Sequence, residues 1–75
     1  MKKLAPATAQ LIPYFLVVIQ LPDNRVRFVD GDALTARREH ATAFRDEAKA
    51  RQTATEWAAR SDVKASWTLH DPRMV

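Results

Sequence analysis

A chain of 75 residues has room for one hydrophobic core, and so small a core leaves a thin stability margin unless something else adds burial. The absence of cysteine excludes disulfides and thiolate metal sites, and His40 and His70 lie far apart with no carboxylate at ligand spacing. A net charge of +3, from 12 basic and 9 acidic residues, is too small to mark a dedicated nucleic-acid binder. Self-association is then the expected source of extra burial, and a cysteine-free chain fits a cytoplasmic protein.

The opening Met1-Lys2-Lys3 resembles the start of a leader, but Pro6, Thr8, Gln10 and Pro13 interrupt the apolar residues after it. The apolar run over residues 14–19 is far short of the ~18 residues that a membrane span needs. Residues 1–13 therefore read as a flexible arm, and residues 14–75 as a single domain.

Residues 14–21, YFLVVIQL, form a first strand that is apolar on both faces and is bounded by Pro13 and Pro22. Pro22, Asp23 and Asn24 supply turn chemistry, proline by fixing φ and asparagine by tolerating a left-handed backbone. The following RVRFV alternates, which predicts a second strand paired to the first as a hairpin. Asp30-Gly31-Asp32 closes it as a tight turn that also caps a helix. The acidic ligands a calcium loop would need do not continue past it, since Leu34 and Ala36 follow.

Residues 33–43 read as a loop with a short helix. From Phe44 onward, Phe44, Ala48, Ala50, Ala54, Trp57 and Ala58 gather on one side of a helical wheel, with Arg45, Lys49, Thr53, Glu56 and Arg60 on the other. Ser61-Asp62 ends this helix. Val63, Ala65, Trp67 and Leu69 then alternate with Lys64, Ser66, Thr68 and His70, a third strand ended by Asp71-Pro72.

The expected fold is α+β, a ββαβ unit in which a three-stranded antiparallel sheet of order 2-1-3 carries one main helix on one face. The doubly apolar first strand is central. The core then holds Phe15, Val17, Ile19, Val26, Phe28, Phe44, Ala48, Ala54, Trp57, Ala58, Val63, Ala65, Trp67 and Leu69, with both tryptophans between helix and sheet.

One helix covers one face, so the other is available. Alternation assigns to it Tyr14, Leu16, Val18 and Gln20 from the centre, Arg25, Arg27 and Val29 on one side, and Lys64, Ser66, Thr68 and His70 on the other. Of these, Tyr14, Leu16, Val18, Arg25, Arg27, Val29, Lys64, Thr68 and His70 are the candidate partner-binding residues, an apolar stripe with a basic and polar rim. On this reading a lysine at position 16 leaves the fold intact. The competing reading is that the arm folds over the stripe through Leu4, Leu11 and Ile12.

Nucleic acid is the alternative partner, with Tyr14 stacking a base and Arg25, Arg27 and Lys64 meeting phosphates, although sheet platforms of that kind offer two or three aromatic side chains. His40 beside Glu39 and His70 beside Asp71 do not make an acid–base pair, because adjacent residues point in different directions, and no serine sits in a nucleophile motif. Neither an enzyme nor a cofactor is expected.

Thr35, then Ala41-Thr42-Ala43-Phe44, then Glu47-Ala48 and the alanine-rich helix ending in Trp57 resemble the small strand-strand-helix-strand accessory proteins of bacteriophages and other mobile elements. Some of those proteins are host-defence inhibitors of the anti-CRISPR type. The resemblance implies action by binding a protein partner and carries over no functional residue.

Overall fold

In the computed structural model, residues 11–74 are described. They form β1 (Leu11–Ile12), β2 (Phe15–Gln20), β3 (Val26–Asp30), β4 (Ala33–Thr35), a 3₁₀ turn (Arg38–His40), α1 (Glu47–Ala58), β5 (Ala65–His70) and β6 (Arg73–Met74). The main sheet has four antiparallel strands in the order β4-β3-β2-β5, and β1 pairs with β6 in a separate two-stranded piece. The apolar strand is central and its neighbours antiparallel, as its sequence predicts, but the sheet is not three-stranded. The fourth strand arises at Asp30-Gly31-Asp32-Ala33, where Gly31 takes φ +61 in a two-residue connection and returns the chain as a strand. This turn caps no helix.

The two sheets share one register. Leu11↔Met74 and Ile12↔Arg73 in β1–β6 continue, step for step, the pairing that starts at Phe15↔His70 in β2–β5. The missing steps are Pro13 opposite Pro72 and Tyr14 opposite Asp71. Leu11 and Ile12, read from sequence as part of an arm, are thus paired backbone, while residues 1–10, with Leu4, lie outside the described part.

The β2–β3 hairpin closes as its turn residues predict. The Asn24 N–H donates to the Leu21 carbonyl at 2.8 Å, the Leu21 N–H to the Arg25 carbonyl at 2.9 Å, and Asn24 sits at φ 72°. Its register, Gln20↔Val26 and Val18↔Phe28, sets the faces of β3, and β5 follows with Val18↔Trp67 and Leu16↔Leu69. The faces of both flanking strands are therefore the reverse of the sequence expectation. Val26, Phe28, Ala65, Trp67 and Leu69 share a face with Leu16 and Val18, away from α1. Arg27, Val29, Ser66, Thr68 and His70 lie on the α1 side with Val17 and Ile19.

For β5, on which α1 packs together with β2, the reason lies in the helix. Asp46 caps it by accepting from the Ala48 N–H at 2.9 Å, so it starts at Glu47, and Phe44 instead bridges to Phe15 in the sheet. Its inward positions are alanines, Ala50 at 0% and Ala54 at 7% exposure, and they pack with Val17, Ile19 and Val29. Alanine contacts bring a helix close to its sheet, and small Ser66 and Thr68 under α1 suit that spacing better than Trp67 and Leu69. The fit leaves the Ser66 hydroxyl buried without a hydrogen-bond partner. Ala48 and Ala58, expected in the core, are exposed. Phe15, Leu21, Leu34, Phe44, Trp57 and Val63 complete the helix-side core.

Candidate functional site

The face away from α1 has two halves. At the proline end, Leu16 is 0% exposed although it points away from the helix. Here the segment between β4 and α1 is tied down by the Thr42 N–H donating to the Val29 carbonyl at 2.9 Å, by the Phe44–Phe15 bonds, and by Arg38 reaching Asp71 at 2.6 Å. Arg38 thus links the segment after β4 to the far end of β5, and Ala41 in the same segment is 8% exposed. These bonds hold residues 36–43 at this end of the sheet.

The other half is open. Val18, 3% exposed, lies between Phe28 and Trp67, but Trp67 is 42% and Val26 43% exposed, and no described segment crosses them. Ala65 and Leu69 extend the apolar surface along β5. Contiguous exposed apolar groups that include an indole mark interaction surfaces more often than scattered ones do. At its rim the Lys64 ammonium donates to the Asn24 side-chain oxygen at 2.8 Å, and Arg25 pairs with Asp23 at 2.6 Å. The Asp23 carboxyl is held below 3.8, first by the Arg25 backbone N–H and then by its guanidinium.

A second cluster surrounds Tyr14. The guanidinium carbons of Arg45 and Arg73 lie 5.4 and 5.1 Å from its ring centre, cation–π range for both. Arg73 also bonds Asp71, which binds Arg38 as well. Partial desolvation pushes the Asp71 carboxyl up, but the hydrogen bonds from Arg38 and Arg73 outweigh it and hold the group below 3.8. Arg38 and Arg73 thus share one carboxylate, and Arg45 joins them beside the tyrosine.

Of the nine residues named from sequence, Tyr14, Leu16 and Val18 lie on the face as expected, although Leu16 and Val18 are its buried floor. Arg25 and Lys64 stand at the turn end, each engaged as above. Arg27, Val29, Thr68 and His70 belong to the opposite side. Val29 is 1% exposed in the core, and His70 stacks on Phe15 with centroids 5.3 Å apart. The alternation in β3 and β5 was legible, but its phase was not, and the exposed Val26 and Trp67 were therefore missed. The Arg38–Arg45–Arg73 group was missed because its members are far apart in sequence.

A shallow cleft of about 210 Å³ at the end of α1 is lined by Asp32, Glu56, Trp57 and Arg60, with the Arg60 guanidinium 4.4 Å from the Trp57 ring centre. Among the described residues, no three of His, Asp and Glu converge as a metal site, and no helix is long and apolar enough to cross a membrane. The chain matches no protein-family model, no curated protein and no solved structure.

Proposed function

We infer that this protein acts by binding, not by catalysis, and that its working surface is the open half of the sheet built from Val26, Phe28, Trp67 and Leu69 around Val18. The observation that carries the reading is Trp67, an indole 42% exposed on a regular strand in a domain that has little apolar surface to spare. The partner is a protein, a second copy included. Sedimentation velocity of the wild type and Trp67→Lys provides the test. An assembly, with itself or with a copurifying protein, that dissolves in the variant while circular dichroism stays native supports the reading. An assembly that survives the change, or a wild type that binds nothing, overturns it.

The arginine group around Tyr14 favours a second reading, in which the protein binds nucleic acid at the proline end of the sheet. Each phosphate contact contributes about −0.9 to the slope of log affinity against log salt on duplex DNA. Arg45→Ala should then flatten the slope measured by mobility shift, and binding with no salt dependence removes this reading.

A further inference from the structure

The strand β5 is an edge of the main sheet, and its hydrogen-bonding pattern has a twofold symmetry. The Asp71 N–H donates to the Tyr14 carbonyl at 2.7 Å, which fixes the alternation: Ala65, Trp67, Leu69 and Asp71 turn their backbone groups toward β2. Ser66, Thr68 and His70 then present theirs outward. The outward series stops at both ends, because the Lys64 N–H is turned inward onto the Gln20 carbonyl at 2.8 Å and Pro72 has no N–H. What remains, among the described residues, is an open row of donors and acceptors centred on Thr68. No lysine, proline or acidic residue interrupts Ala65–His70, although these are the usual means of blocking an edge. The opposite edge, β4, has only 3 residues.

We propose that β5 pairs antiparallel with β5 of a second copy about a dyad at Thr68, joining the two four-stranded sheets into one. This rests on the binding role proposed above and names its partner. The dyad sets Thr68 against Thr68 of the second copy and Ser66 against His70 of the second copy, in pairs that exchange about six hydrogen bonds in all. The same register places Trp67 opposite Leu69 of the second copy, on the open face and in the closely spaced, non-hydrogen-bonded position where side chains pack best. The exposed indole, which has Val18 on its β2 side, thereby gains an apolar neighbour on its open side. The contact is isologous, so it closes at a dimer.

Single cysteines test the register, since the chain has none of its own. The hydrogen-bonded Thr68 pair brings two Cα atoms to about 5.5 Å, within disulfide reach. Thr68→Cys should oxidise to a covalent dimer. Ser66→Cys alone should not, because its own copy lies four residues along the ladder, about 14 Å away, whereas Ser66→Cys with His70→Cys should. Thr68→Pro removes an outward N–H and leaves the β2 bonds untouched, so it should keep a native circular dichroism spectrum while weakening dimerisation at least about tenfold in sedimentation equilibrium. A wild type that stays monomeric up to millimolar concentration, crosslinking through Ser66→Cys alone, or assembly beyond a dimer would overturn the proposal. A dimer lost in Trp67→Lys but retained in Thr68→Pro would overturn the edge pairing and leave the face reading standing.

Discussion

Pro13 and Pro72 stand opposite each other in the continuous register that links β1–β6 to β2–β5. The neighbouring Tyr14·Asp71 pair is hydrogen-bonded, so the proline pair occupies the position where N–H groups point out of the ladder. The two prolines therefore cost the ladder no bond across it, consistent with the restriction of strand prolines to such positions. Replacing both by alanine should change stability by no more than about 1 kcal/mol each, through the unfolded chain alone. Urea unfolding checks this. A larger loss would show that the proline geometry itself holds the register.

Leu16 and Val26 share a face but not an environment, being 0% and 43% exposed. Leu16→Ala should cost about 2–5 kcal/mol, a large part of the stability of so small a domain, and a buried lysine at position 16 should cost more. The tolerance of Leu16→Lys expected from sequence thus gives way to the opposite outcome. Val26→Lys should leave the thermal midpoint nearly unchanged. Equal effects at the two positions would mean that residues 36–43 do not seal the proline end.

The helix spacing can be probed from both sides. Ala50→Leu should cost about 1–3 kcal/mol by overpacking against Val17 and Ile19, while Ala48→Leu on the exposed side should be close to neutral. Ser66→Ala should be neutral or raise stability by about 1 kcal/mol, because it deletes a buried hydroxyl that makes no hydrogen bond. A clear loss in Ser66→Ala would show that this hydroxyl is satisfied after all.

Acid should loosen the proline end. The folded Asp71 carboxyl titrates below its ordinary 3.8, so its contribution is complete above that value and is lost as pH falls through the lower, folded one. The wild type should therefore exceed Asp71→Asn in urea midpoint at neutral pH, and the two should converge in strongly acid solution. A constant gap would mean that the ion pairs with Arg38 and Arg73 contribute nothing pH-dependent.

The two tryptophans should report different environments in dilute solution. With Trp57→Phe, the remaining Trp67 should emit toward the red and be quenched readily by acrylamide. With Trp67→Phe, the remaining Trp57, half-buried in the helix-side core, should be better protected. The reverse order would place the exposed apolar patch elsewhere.

Local chemistry in the sequence determined the elements that depend on near neighbours: the apolar central strand, the turn at Asn24, the alanine-rich helix and the alternation of the third strand. Its order of strands, with the doubly apolar one in the middle, also came from burial on both faces. Strand Ala33–Thr35 was hidden because three residues carry no period. The tertiary structure alone decided which side of β3 and β5 meets α1. Alternation defines two faces without saying which is which, and a one-residue difference in register exchanges them completely. On β5, size then settles the choice: a helix that approaches through Ala50 and Ala54 leaves room for Ser66 and Thr68 beneath it, and so the larger Trp67 and Leu69 lie on the face away from it.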